Sequence, residues 1–423
     1  MGVNKALSSA NITKFLVFSN TAGKTDIRLL LTEMNYEESV FDVSIRMSVT
    51  VVDAAALPNF APISSTFDDL KLAGGEKVEV GFTDNYGNEY ELEMYIDTLD
   101  ELGNTTKTQT YRISMVSMEY LMNESKRVRK KYEGKISDSL VKILQEDLQT
   151  GKDIFVDETI NNYSFLGVNK KPFYWCISLA KKSVPFKKGQ VAGYFFYENY
   201  FGYQFKALDE LFAQDPKFSC IYNETTDRIP GGYDAKILDY TFDNNINFQN
   251  ELKLGTYNTE RFDFNPYDQR YKENPFTFQE QEGAIVPVAK TRITERINPI
   301  FIESPSRFLD YPQDIGTLPP GSHLEEQLKK SKEPNLELDD IATQAAMRYQ
   351  QACTIQVTIT IAANLGLNVG DIIFADIPEV SSTFKPKPEN TNSGLYMISE
   401  LCHKLTPRRS ATKLVLIRDS YDR

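Results

Sequence analysis

Residues Cys353 to Ile361 read CTIQVTITI. Cys353, Ile355, Val357, Ile359 and Ile361 fall on one side of an extended chain, and Thr354, Gln356, Thr358 and Thr360 fall on the other. Successive side chains leave a strand on opposite faces, so this alternation predicts a half-buried β-strand. The stretch runs into Asn364-Leu-Gly-Leu-Asn, a turn signal, and then into a second strand, Val369 to Phe374. A near copy sits towards the other end of the chain. Val43 to Val51, VSIRMSVTV, puts Val43, Ile45, Met47, Val49 and Val51 on one face and Ser44, Arg46, Ser48 and Thr50 on the other. Gly75 to Phe82 follows it, again a glycine, an acid and then apolar alternation. Two more strands come after each pair: Tyr90 to Ile96 and Tyr111 to Val116, then Leu395 to Leu401 and Thr412 to Arg418. The reading is one small antiparallel barrel used twice, an internal duplication whose identity has decayed. It expects Val43–Val51 to overlay Cys353–Ile361, and Gly75-Glu76 to overlay Gly370-Asp371. The competing reading is that any two β-units look alike once reduced to alternation.

The chain has 423 residues, which suggests two to four domains. Its 26 Phe and 23 Tyr favour sheet over helical bundles. The net charge of -12 argues against general nucleic-acid binding through phosphate neutralisation. The charge is uneven: residues 1–120 hold 9 Lys+Arg against 18 Asp+Glu, and residues 341–423 hold 9 against 7. Four cysteines, Cys176, Cys220, Cys353 and Cys402, show no C-x-x-C pairing and read as reduced thiols of a cytosolically made protein. The first residues, MGVNKALSSANITKF, contain no continuous apolar run, and no stretch approaches the ~20 apolar residues of a membrane span.

Between the two copies the period changes. Ser137 to Leu148 reads as a helix capped by Ser137, with Leu140, Ile143, Leu144 and Leu148 on one face. A strand at Asp153–Asp157 follows, then a helix from Lys171 with Pro172 in its first turn and Trp175, Leu179 and Phe186 as core candidates. Tyr194 to Phe205 reads as an aromatic hairpin, and Leu208 to Phe212 closes the unit. Ala235–Phe242 and Asn250–Tyr257 return to strand-like text. Nine prolines between Pro266 and Pro334 break up residues 263–340, which predicts a surface excursion or extended arm. Asp339 to Gln351 is a helix that delivers the chain into the strand at Cys353. Near the start, Phe15–Phe18 and Ile27–Leu31 are short strands, and Thr32 to Ser39 a lead-in. The fold class is mainly β: residues 1–118 as a first barrel, 119–235 as an α+β insert, 236–262 with 341–423 as a second barrel, and 263–340 as the excursion.

A search for chemistry returns little. The chain has two histidines, His323 and His403, and neither G-x-S-x-G nor H-E-x-x-H. Ala22-Gly-Lys-Thr25 has the tail of a phosphate loop but Phe18 where the leading glycine must be. The acidic doublets Asp68-Asp69, Glu325-Glu326 and Asp339-Asp340 read as solvated faces. Lys126 to Lys131 is a short basic run suited to an interface. Tyr194–Phe205 could stack on sugars or bases, though its alternation fits a core or subunit contact better. No catalytic, cofactor-binding or metal residues are assigned. The candidate functional positions are the polar strand faces, Ser44, Arg46, Ser48, Thr50, Thr354, Gln356, Thr358 and Thr360, as lining or assembly surfaces. A structural protein is the expectation. A cell-wall hydrolase and a carbohydrate-binding receptor protein are the rivals.

Three groups of segments resemble one family. At the end of the chain stand Leu367–Phe374, Gly394–His403 and Thr412–Asp419. In the middle stand Ile136–Leu144, Asn169–Ala180 and Ala192–Phe205. At the start stand Leu31–Phe41 and Val49–Asp53. Together, and in this order, they are similar to the baseplate central hub of contractile-tailed phages of the T-even type. The resemblance covers most of the chain except 263–340. It implies two tandem tail-tube-like barrels per chain and a homotrimer whose six barrels form a pseudo-sixfold ring. The ring would join the hexameric tail tube to the trimeric central spike, with the tape measure and baseplate wedge proteins as further neighbours. DNA would meet it only in transit through the channel. The implied location is the virion, after assembly in the host cytoplasm.

Overall fold

The computed structural model describes residues 11–421 except 20–22, 55–69, 85, 106–107, 187–190, 224–228, 243–247, 266–268, 278–286, 289–290, 293–296, 313–324, 326–337 and 378–391. His323 and the Asp68-Asp69 pair therefore lie outside the described residues.

The first strands are β1 (Asn11–Ser19), β2 (Gly23–Asp26), β3 (Leu31–Ser39), β4 (Arg46–Ala54), β5 (Lys77–Thr83), β6 (Glu89–Asn104) and β7 (Thr108–Val116). Helix Met118–Ser125 opens the insert. It continues through β8 (Lys131–Tyr132), helix Ile136–Lys142 with a π-turn at Ile143–Asp147, β9 (Ile154–Val156) and β10 (Phe165–Leu166). Helix Pro172–Ala180, β11 (Tyr194–Asn199), β12 (Gly202–Ala207) and helix Leu208–Phe212 complete it. Next come β13 (Phe218–Tyr222), β14 (Ala235–Phe242) and helix Phe248–Leu254. A small sheet is made by β15 (Asn258–Asn265), β16 (Arg270–Thr277) and, beyond β17 (Thr291–Arg292), β18 (Arg307–Pro312). Helix Leu338–Ala352 leads into β19 (Ile355–Ala362), β20 (Ile372–Asp376), β21 (Gly394–Leu405), β22 (Ser410–Arg418) and β23 (Ser420–Tyr421).

One thirteen-stranded sheet carries both halves, in the order β2-β1-β5-β6-β7-β4-β3-β21-β20-β13-β14-β19-β22, with β21 also paired to β22. The second half therefore closes on itself as a six-stranded barrel. The two halves share an order. Substituting β13 for β1, β14 for β3, β19 for β4, β20 for β5, β21 for β6 and β22 for β7 converts β1-β5-β6-β7-β4-β3 into β13-β20-β21-β22-β19-β14. Five of the six strands keep their sense. The exception is β13, which runs parallel to β20 where β1 runs antiparallel to β5. The halves are not separate sheets, because β3 pairs with β21 across the middle. One apolar cluster runs through both, from Phe15, Met34 and Val49 to Val357, Ile359 and Leu414, and the insert has a core of its own around Leu140, Trp175 and Phe205.

The alternation at β19 holds: Ile355, Val357, Ile359 and Ile361 are buried and Gln356, Thr358 and Thr360 are not. Several expectations need correcting. Residues Thr32–Ser39 are a full strand and not a lead-in, while Arg28–Leu30 of the expected Ile27–Leu31 strand is a 3₁₀ turn. A bulge between Leu31 and Glu33 breaks the phase of β3, and its last inward residue is Glu38, so no apolar alternation advertises it. Asn250–Tyr257 is largely helical, because Phe248–Leu254 coils and stops at Gly255 with φ +72°. Phe218–Tyr222, counted with the insert, is barrel strand β13. Ser137 lies inside its helix, whose N-cap is Lys135, and Phe186 is 58% exposed, not core. The excursion contains a sheet after all, with Pro275 and Pro312 on its two outer strands, where a missing N–H breaks no ladder. The strands of the aromatic hairpin are interior, with every residue of β11 buried, and Phe201 at the turn is 56% exposed.

Candidate assembly surface

Residues directly opposite one another in a sheet point to the same side. The registers therefore trace the polar face across both halves. Thr360 sits opposite Lys413, Lys413 opposite Cys402, Cys402 opposite Glu37, and Glu37 opposite Arg46. A second row runs Ala362, Ala411, Lys404, Asn35, Ser48, Ser114, Thr98. A third joins Glu33, Thr50, Arg112 and Asp100. Arg46, Ser48 and Thr50 of one half thus share a continuous face with Thr358 and Thr360 of the other, and Gln356 lies one step further along β19. Two of the eight candidates lie elsewhere. Ser44 is 2% exposed; its hydroxyl donates to the Ile45 carbonyl (3.0 Å) and accepts from the Ser117 amide (3.3 Å) at the seam with the insert. Thr354 precedes β19 and donates to the Gln351 carbonyl (2.7 Å), closing the helix end.

Acids and bases alternate near the middle of this face. Lys404 bonds Glu33 at 2.9 Å, and this contact holds the Glu33 carboxyl below its usual range. Arg46 bonds Asp42 at 2.6 Å. Towards the β5–β6 hairpin the balance turns acidic, with Glu79, Glu89, Glu91 and Glu93 beside Lys77. The first two rows each carry one basic residue in excess, Lys413 and Arg46 against Glu37 and then Lys404 alone, and the third carries one acid in excess.

The joint between the halves is tied by buried contacts. Beyond the β3–β21 ladder, Asp84 in the β5–β6 turn accepts from the Leu365 amide (2.8 Å), and the Tyr90 hydroxyl donates to the Leu365 carbonyl (2.7 Å). Tyr36 stacks on His403 with ring centroids 5.8 Å apart. Glu38, 2% exposed, accepts from the Tyr36 hydroxyl (2.6 Å), the Tyr200 amide (2.8 Å) and the Val369 amide (3.2 Å). His403 is fully buried, and burial pushes its pKa down to about 3. Its Nδ1 shares a hydrogen bond with the Thr412 hydroxyl (2.8 Å), which also accepts from the Asn364 amide (3.0 Å), so that hydroxyl is engaged in structure. The insert is tied on by Glu198, which accepts from Ser117 Oγ (2.6 Å) and the Ile45 amide (3.1 Å) and pairs with Lys152. Arg348 ties it a second time, between Asp209 (3.0 Å) and Asp419 (2.6 Å).

The second feature is an edge. The pairing of β6 with β5 ends at Tyr95, while its pairing with β7 runs on to Asn104. Among the described residues, Thr98–Asn104 has no strand on its other side. In the second half β21 behaves alike: it leaves β20 at Met397, passes a bulge between Ile398 and Glu400, and there takes on β3. The bulge between Ile96 and Thr98 in β6 corresponds. Thr98 thus matches Glu400, and Leu99 matches Leu401. Leu401 is 2% exposed under its neighbour, whereas Leu99 is 38% and Leu102 49% exposed. Sequence reading missed β3, Glu38 and this long tail of β6; the exposed Leu99 and Leu102 in a strand pattern were its one available signal.

No family model and no curated protein sequence matches the chain. Solved structures do. The 43 kDa tail protein of prophage MuSo2 from Shewanella oneidensis is 10% identical, with 96% of this chain and 98% of that one covered and a TM-score of 0.53. A tail protein from Neisseria meningitidis MC58 is 9% identical, with 97% of each chain covered and a TM-score of 0.55. Identities this low speak to fold: the mainly β architecture of this chain is shared, over nearly its whole length, with these two tail proteins, one of them from a prophage.

Proposed function

We propose that this chain is the structural hub of a contractile-tail baseplate, without enzymatic activity, which assembles as a homotrimeric ring. The observation that carries the reading is the unfilled copy of the β3–β21 joint. Each chain uses that joint once internally and presents its equivalent open at β6. The matching strand is also free in part: among the described residues, β14 pairs with β13 only over Ala235–Ile237, and Leu238, Asp239 and Thr241 are exposed. Asp239 faces Thr360 as Glu33 faces Thr50, so β14 from Tyr240 onward corresponds to the part of β3 that pairs with β21. A β14 edge entering the β6 edge of the next copy is strand augmentation between unlike surfaces, and such contacts close into a ring when the rotation between copies is a third of a turn.

Three copies supply six tube-like units, one per chain built on β1 and β3–β7 and one on β13, β14 and β19–β22, to match a hexameric tail tube. The insert, present once per chain, gives threefold surfaces for a trimeric spike, and 263–340 meets spike, wedge or tape measure partners. The polar face with Arg46, Ser48, Thr50, Gln356, Thr358 and Thr360 lines the channel, and the glutamates of β5 and β6, Glu79, Glu89, Glu91 and Glu93, repel DNA phosphates in transit. The setting is the virion baseplate.

The test is sedimentation of the purified chain over a wide concentration range, alone and with spike and tube proteins. The variant Leu99→Lys/Leu102→Lys is the control. Burying the exposed parts of both leucines is worth roughly 2 kcal/mol per contact, so losing it weakens association about 30-fold before the charges add their own cost. Three hub copies around a channel, lost in a folded variant, are expected. Any other stoichiometry, or equal assembly of the variant, overturns the reading.

A further inference from the structure

A recess of about 270 Å³ lies between the insert and the second half, where the β11–β12 hairpin and the segment from Glu210 to Gln214 meet the turn ahead of β20. From the hairpin it is bordered by Tyr197, Asn199, Gln204 and Lys206, and not by the intervening Glu198, Tyr203 or Phe205. In register, Tyr197 pairs with Gln204 and Phe195 with Lys206, so the four bordering residues share one face of the hairpin, and their side chains reach the space. Gly370, with φ +88°, borders it from the second half, and a Cβ there would stand 2.5 Å from the Tyr197 hydroxyl. A side chain at position 370 would fill the room in front of that hydroxyl. We infer that this recess is a receptor for a guanidinium group, the head of an arginine side chain. Every residue of the recess belongs to one chain, so the inference does not rest on the ring.

The polar groups here are short of donors. Tyr197 is 2% exposed, and its hydroxyl has no hydrogen-bond partner among the described residues. Gln204 is 7% exposed, and its Nε2 donates to Asn199 Oδ1 at 3.2 Å. That atom is fixed as an oxygen because it also accepts from the Phe201 amide at 3.1 Å. Gln214 Nε2 donates to the Leu211 and Gly370 carbonyls, at 3.2 Å each. Both glutamine nitrogens are thus engaged, while both glutamine oxygens have no donor among the described residues. Glu210 adds another acceptor, since its Oε1 is buried without a partner. Unpaired buried acceptors are costly, so the recess favours a ligand that brings several N–H groups. Charge points the same way. Asp157, Glu210 and Asp371 border the recess against one cation, Lys206, and Asp157 holds it at 2.9 Å. Asp371 is engaged by Lys217 at 2.7 Å, which leaves Glu210 as the bordering carboxylate with no cation among the described residues. A bare metal ion does not suit, because no three His, Cys, Asp or Glu side chains among the described residues are placed to hold one. Guanidinium carries its donors in a planar fork, keeps its charge, and is more weakly hydrated than ammonium, so it enters a half-buried site at lower cost.

The experiment uses the full chain and the probe Nα-acetyl-arginine amide, followed by calorimetry and saturation-transfer NMR. The citrulline analogue is the neutral isostere. Saturable millimolar binding of the arginine probe is expected, at least about tenfold tighter than citrulline, the factor one charge-assisted hydrogen bond supplies. Glu210→Gln should weaken it by about the same factor, and Tyr197→Phe should weaken it as well. An arginine-bearing pentapeptide that binds more tightly than the single residue points to a partner protein's side chain as the occupant, and equal affinity points to a free guanidinium compound. Either result supports the receptor. Absence of saturable binding, citrulline binding as tightly as arginine, or an affinity unchanged in Glu210→Gln overturns it. Should Glu210→Gln not fold, an affinity unchanged in Tyr197→Phe overturns it equally.

Discussion

Arg348→Met removes the guanidinium that sits between the insert and the second half. Arg348, Asp209 and Asp419 have side chains 2%, 3% and 5% exposed. The arginine donates to Asp209 at 3.0 and 3.2 Å and to Asp419 at 2.6 Å, and it lies over the Phe212 ring at 5.2 Å. Burial works against its charge, but the two carboxylates more than compensate and raise its pKa above the usual arginine value. Methionine fills most of the volume and none of the polarity. It leaves two carboxylates in the interior with their cation gone, a change that costs about 3–5 kcal/mol when a buried pair is broken from one side. The loss should be largest at pH 7. It should shrink as pH falls, because orphaned buried carboxyls have raised pKa values and take up protons in the folded state first. Adding Asp209→Asn should recover part of the loss by removing one uncompensated charge. Urea unfolding followed by far-UV ellipticity and by the fluorescence of Trp175, the sole tryptophan and part of the insert's core, measures all three. A cost below ~1 kcal/mol at pH 7 in a folded variant would put this cluster in the class of surface ion pairs and refute the reasoning.

Gly202 has φ +130°, and a Cβ there would stand 2.3 Å from the Asp153 carbonyl, which the Tyr203 amide needs at 2.9 Å. Gly202→Ala should therefore cost roughly 3 kcal/mol and lower the thermal midpoint, and an unchanged midpoint would show that β9 is free to shift. His403 has its pKa lowered from 6.5 to about 3, so the unfolded chain binds its proton first and stability is lost as pH falls below 6.5. At pH 5 this amounts to roughly 2 kcal/mol, which His403→Gln should abolish in urea midpoints measured between pH 4 and 7.

How much of this was legible in sequence follows from how far each signal reaches along the chain. Alternation is local, so β19, β4, β7 and β22 announce themselves in single stretches of eight or nine residues, and the set recurs in the same strand order in both halves. Helices Ile136–Lys142 and Pro172–Ala180 and the aromatic hairpin are legible for the same reason. Strand β3 is not, because a bulge resets its phase and its last inward residue is a carboxylate whose partners, Tyr200 and Val369, lie 162 and 331 positions away. Nor is the role of β13, whose two neighbours are parallel strands brought in by long crossovers. Ser44 reads as one more polar residue of a strand face, and only the packing of the insert turns it inward. The sequence by itself determined which segments are strands and which of their faces is polar, since both depend on side-chain periodicity. Which strands meet, where β21 leaves β20 for β3, and which edge stays open on β6 were decided by tertiary structure alone, because pairing is a contest among distant segments that no local window contains.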